Sequence, residues 1–142
     1  MEHPDQKIIS FLKRHHVMTL STCADNRPWC AHCFYAFMEH DMTLVFTSSY
    51  DTRHIKEVLQ NCKVAGSVVL ETSIVGKIQG VQFSGELFLS DGDEASQVKS
   101  LYLKRFPLSV LMETTLWKFR IDYAKMTDNR LGFGKKLIWR RE

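Results

Sequence analysis

VMTLSTCADNRPWCAHCFYAF, residues 17–37, decides the fold class. Val17–Thr22 alternates apolar and polar side chains, Ala24–Arg27 is turn chemistry, and Trp29–Phe37 alternates again. A period of two on both sides of a short polar turn predicts an antiparallel hairpin. The same period settles how WCAHC (29–33) is to be read. In a strand, Cys30, His32, Phe34 and Ala36 share one face, and Ala31, Cys33, Tyr35 and Phe37 share the other. Cys30 and Cys33 then point opposite ways, with Cα atoms roughly 10 Å apart. A disulfide needs less than about 7 Å, and one metal ion cannot reach both sulfurs either. A zinc knuckle needs a tight turn and a second ligand pair, which Cys23 and Cys62 do not make. Haem attachment through C-x-x-C-H fails because Phe34 stands at the histidine position. These are strand cysteines, and no metal site is expected. His32 admits two readings, a satisfied core histidine or a residue lining a cavity. His3, His15, His16 and His40 read as surface residues.

Outward from the hairpin the pattern continues. Upstream, Ile8, Phe11, Leu12 and His15 recur at helical spacing after Pro4 and Asp5, so one short amphipathic helix precedes the sheet. Downstream, the turn Glu39–Asp41 leads to a strand over Thr43–Thr47, and Asp51 or Thr52 is placed to cap a helix reaching about Gln60. Val64–Leu70 and the long Lys77–Ser90 are further strands; Gly80 and Gly85 suggest bulges or bends where a sheet curls. The acidic turn Asp91–Glu94 opens a helix through Leu101 and Phe106, stopped by Pro107. Leu116–Asp122 is a sixth strand, and the tail ends in a last short strand near Leu137–Trp139. The expected fold is mainly β with peripheral α. Six or seven antiparallel strands curl into a small barrel, with two or three short helices, in a single domain over 1–142.

Of the 142 residues, 44% are hydrophobic and 25% charged, enough for a packed core. The net charge of +3 does not suggest a nucleic-acid partner, although Lys135, Lys136, Arg140 and Arg141 make the C-terminus locally basic. No apolar run is long enough to cross a bilayer, and the polar start MEHPDQK is not a signal peptide. The expectation is a cytoplasmic protein without a membrane partner, its four cysteines reduced.

VFTSSYDTRH, residues 45–54, carries the more specific chemistry. A strand delivers Thr47 and Ser48, and a short loop leads to Thr52, Arg53 and His54 at a helix start. Hydroxyls, free backbone N–H groups, a helix N-terminus and an arginine make an anion cradle. The same residues also read as a plain N-cap with polar neighbours. Neither G-x-x-x-x-G-K-[ST] nor G-x-G-x-x-G occurs; Gly132–Gly134 lacks the rest of either motif, and nothing resembles a nucleophile elbow.

MTLSTCADNRPWCAHCFYAF (18–37), LVFTSSYDTRHIKEVLQNCKVAGSV (44–68) and IQGVQFSGEL (78–87) resemble, in this order, the pyridoxamine phosphate oxidase-like FMN-binding split barrels. CAHCFYAF, DTRH, KIQGVQF, YLKRFP and above all TDNRLGFGKKLIW (127–139) resemble more closely the small bacterial YhbP-like branch, which carries no assigned activity. The resemblance implies a homodimer of split barrels with FMN in a groove between the subunits. It places Phe46 and Thr47 at the strand end beside the flavin, and Ser48 of the cradle is taken as cofactor-binding with them. Thr52, Arg53 and His54 match a phosphate-holding Ser/Thr-Arg-Lys motif. His32 and Cys33 fall on the strand whose backbone edges the ring, and Gln79 and Gly80 at partner-strand positions that meet the cofactor. The oxidase's strand arginine and, five residues on, lysine are here Ala31 and Ala36, and His54 replaces the motif's lysine. The phosphate end is therefore cation-poor. The R-x-H-D-R-like substrate motif is missing from the tail, so true pyridoxamine phosphate oxidase activity is not expected. Trp139 either closes over the groove or seals the barrel end; Lys135 and Lys136 either restore phosphate charge or are solvated.

Three functions remain open. One is a flavin-dependent oxidoreductase or flavin-binding protein, its catalytic residues unassigned. The second is a non-enzymatic module for haem or an anionic metabolite, motivated by the missing cations, His32 and the aromatic residues Phe34, Tyr35, Phe46 and Trp139. The third is a purely structural dimer.

Overall fold

The turn at residues 24–27 has the local chemistry a hairpin needs. Asp25 and Asn26 both take positive φ, 52° and 63°, the handedness that matches the twist of the flanking strands. They join β1 (Val17–Ala24) to β2 (Arg27–Met38), with Val17 opposite Phe34 and Ala24 opposite Arg27. The computed structural model describes residues 2–112 and 115–142. Its other strands are β3 (Thr43–Ser48), β4 (Lys63–Val69), β5 (Gln79–Leu89), β6 (Thr115–Asp128) and β7 (Lys136–Arg140); its helices are α1 (Gln6–Arg14), α2 (Arg53–Gln60) and α3 (Ala95–Arg105). The sheet order is β3-β2-β1-β4-β5-β6-β7, and β3 also pairs with β6. Six antiparallel strands therefore close a barrel, and β7 adds to its β6 edge.

The expected elements are all present, with shifted ends. The sixth strand runs on to Asp128, because β7 and the first half of β5 continue to pair with it beyond Asp122. The register slips at Ser84/Gly85 only. A Cβ on Gly85 would overlap the Arg120 carbonyl oxygen, so this bulge requires glycine. Gly80 makes no bulge; it pairs in register with Val69 and Thr127.

The barrel interior holds Met18, Leu20, Tyr35, Leu44, Phe46, Trp117 and Phe119. α1 packs Ile8, Phe11 and Leu12 against this core, and the Tyr35 hydroxyl donates to the Leu12 carbonyl at 2.7 Å. α3 lies outside, its Val98 and Tyr102 covering Ala36, Met38 and Val45. His15, read as a surface residue, is half-buried, its ring 4.1 Å from that of Phe11; burial, then the Arg14 charge, lowers its pKa.

One barrel face stays open. Its outward side chains are Val17, Thr19 and Ser21 on β1, Cys30, His32 and Phe34 on β2, and Ala65, Ser67 and Val69 on β4. Apart from Lys63 at the start of β4, which pairs with Glu86, this face carries no formal charge, and Phe34 and Val69 are 59% and 64% exposed. No helix among the described residues is long and apolar enough to cross a membrane.

Candidate functional site

β3 ends where α2 begins, and the junction builds the cradle. Thr52 is the N-cap: its hydroxyl accepts from Ile55 N at 3.4 Å and donates to the Ser49 carbonyl at 2.8 Å. The loop between has Ser49 Oγ bonded to the Asp51 carboxylate. Ser48 is buried; its Oγ shares a 2.6 Å hydrogen bond with His54 Nε2, and its carbonyl accepts from Trp117 Nε1 at 3.0 Å. Thr52 Oγ1 lies 3.4 Å from the same imidazole nitrogen. Burial lowers the His54 pKa, against the opposing pull of Glu57, so at neutral pH this imidazole is a neutral hydrogen-bonding partner and not a cation.

Arg53 projects from the first turn of α2 with half of its side chain exposed. Its guanidinium carbon lies 4.1 Å from the centroid of the Trp29 ring, and Nε is 3.5 Å from Glu57 Oε2. The cradle thus offers two hydroxyls, a helix N-terminus, one guanidinium and a neutral histidine. That set fits a phosphate with little compensating charge. Ala36 explains part of the deficit. It is 1% exposed beneath Val98 and Tyr102 of α3, so the position where the resemblance expects a lysine is covered by a helix. Thr47 points to the same helix, its Oγ1 3.3 Å from the Tyr102 hydroxyl. Beside it is a cavity of about 240 Å3 lined by Lys99, Tyr102 and Leu116 among others.

The remaining sequence-predicted residues lie elsewhere in the chain. Phe46 is wholly buried in the barrel. Cys33 is 8% exposed, and burial pushes its thiol up to about 12; Cys30 faces outward, as alternation requires. His32 is on the open face, with Nδ1 3.3 Å from Thr19 Oγ1. Gln79 and Gly80 line a groove of about 290 Å3 with Ser67, Val69 and Thr127. Ser48 pairs with Thr115 and Gln79 with Asp128, the first and last residues of the 14-residue β6. A single chain therefore does not bring the cradle and the Gln79/Gly80 groove together. Trp139 turns inward at 6% exposure; its indole N–H donates to the Glu2 carbonyl at 2.9 Å, the geometry of a seal. Lys136 donates to Thr127 Oγ1 at 3.0 Å, and Lys135 is exposed. Sequence reasoning missed Trp29, Glu57 and Tyr102. Only Glu57 leaves a signal, a carboxylate four residues after Arg53 on one helix.

Residues 4–128 match the family model for pyridoxamine 5'-phosphate oxidase. A UPF0306 protein of Photorhabdus laumondii is 38% identical over 136 residues, covering 96% of this chain and 95% of its own. The chain belongs to the UPF0306 family, within the pyridoxamine 5'-phosphate oxidase family. Solved structures share the fold of this UPF0306 chain at low identity. A heme binding protein from Mycobacterium smegmatis superposes with a TM-score of 0.78 at 15% identity, covering 99% of this chain and 60% of that one. An FAD-binding protein from Mesorhizobium loti gives 0.71 at 15%, covering 85% and 91%.

Proposed function

We propose that the chain is a flavin-binding protein that holds FMN at the interface of a homodimer, as a carrier or as a flavin-dependent oxidoreductase. The observation that carries this reading is the cradle at the start of α2, where Ser48, Thr52 and the half-exposed Arg53 converge on one helix N-terminus. Bound flavin would supply hydride or electron chemistry, and the chain would supply position and electrostatics. The second copy enters because Gln79 and Gly80 lie far along β6 from the cradle. The largely uncharged open face on β1, β2 and β4 is suited to burial against another copy. The solved FAD-binding relative supports the reading at the level of fold. Pyridoxamine phosphate oxidation itself is not proposed.

Flavin fluorescence titration tests the cradle. Arg53→Ala removes a charge-assisted contact worth about 1.5–3 kcal/mol, so FMN affinity should fall roughly 10- to 100-fold. Unchanged affinity would remove Arg53 from the site.

His32 favours a second reading, a haem-binding module without turnover. Its Nδ1 is engaged by Thr19, and Nε2 has no hydrogen-bond partner among the described residues, the arrangement of an imidazole ready to ligate iron. A Soret shift on adding hemin, lost in His32→Ala, would support it against FMN.

A further inference from the structure

Arg53 is held by a chain of contacts that links three elements and closes through the backbone pairing of β1 with β2. Glu57, four residues along α2, faces its Nε at 3.5 Å. The other Glu57 oxygen accepts from Thr22 Oγ1 at 3.2 Å. Thr22 pairs across the hairpin with Trp29, and the Trp29 ring returns to the guanidinium at 4.1 Å. Glu57 and Thr22 are buried, at 7% and 2% exposure, while Trp29 is 43% exposed. A buried carboxylate held from two sides is a fixed anchor, and an indole face restricts the guanidinium plane. An exposed arginine normally samples many rotamers, and ordering it on binding costs affinity.

We infer that Trp29, with Glu57 and Thr22 behind it, is a positioning residue for Arg53, pre-orienting the guanidinium for an oxyanion at the mouth of the cradle. This rests on the proposed FMN site and assigns it a device on the β1–β2 hairpin. Trp29 acts through Arg53, so its effect belongs to the phosphate alone. Riboflavin, the same ring system without the phosphate, separates that role from a contact with the isoalloxazine or a general loss of structure.

The experiment is a pair of flavin fluorescence titrations, FMN and riboflavin, on the wild-type chain, Trp29→Ala, Trp29→Phe, Arg53→Ala and the Trp29→Ala/Arg53→Ala double variant. Trp29→Ala should weaken FMN about fivefold and leave riboflavin within about twofold, with Trp29→Phe recovering much of the loss. In the Arg53→Ala background, Trp29→Ala should add no further loss, because the residue it positions is gone. In the free protein, the Arg53 side-chain Nε–Hε resonance should leave its ring-shifted position in Trp29→Ala. Equal weakening of both flavins, additive losses in the double variant, or an unmoved Arg53 resonance would each overturn the role given to Trp29 while leaving the FMN site standing. A wild-type chain that took up neither flavin would overturn the FMN site and Trp29's role together.

Discussion

At Arg53 the chemistry of the cradle concentrates, because Ala31, Ala36 and His54 occupy the positions where cations are expected. His54 is the most informative of the three. Its imidazole is hydrogen-bonded to Ser48 and its pKa is lowered by burial. In the unfolded chain it titrates near 6.5. Between that value and the lower folded one, the unfolded state binds the extra proton. Stability present at neutral pH is therefore lost as pH falls below about 6.5. His15 adds a contribution of the same sign. His54→Gln keeps a neutral partner for Ser48 and removes one of the two titrations. Urea midpoints measured from pH 7.5 to 5.5 should fall less steeply in that variant than in the wild type; parallel slopes would show that His54 protonates freely in the folded protein. The hydroxyls of the cradle were legible in the sequence, since Thr-Ser and Thr-Arg-His stand at a strand end and a helix start. The engagement of Arg53 was not, because the stacking of Trp29 depends on where the hairpin meets α2.

Among the elements, periodicity carried most of the information. Alternation in β1 and β2, and helical spacing in α1, follow directly from which side chains face the barrel core. The long fifth strand shows where such reading stops. Gly80 and Gly85 look alike in sequence, yet only Gly85 sits at a register shift, where backbone from β6 comes too close for a Cβ. That close approach is set by pairing with a strand over 30 residues away, which no local window contains. Gly85→Ala should cost about 1–3 kcal/mol of stability by thermal or denaturant unfolding. Gly76→Ala, with open space around the new methyl group, is the control; equal effects would contradict the bulge. Likewise, the extension of β6 to Asp128 comes from its pairing with β5 and β7, while the polar composition of residues 122–128 hides it.

For the whole molecule, the barrel places two candidate loci at opposite ends of one strand and leaves a largely uncharged face open between the β1–β2 hairpin and β4. Both features are accounted for if two copies pair through that face, so that the cradle of one meets the Gln79/Gly80 groove of the other. Sedimentation of the wild type should then give a dimer at tens of micromolar. Phe34→Lys, which sets a charge on the face, should shift it to monomer without lowering the unfolding midpoint appreciably. A monomeric wild type would contradict this arrangement. The most direct test of the flavin site is the visible absorbance of the purified chain titrated with FMN. A saturable change in the flavin bands, with quenched flavin fluorescence, is the predicted result; no uptake at tens of micromolar FMN would contradict it.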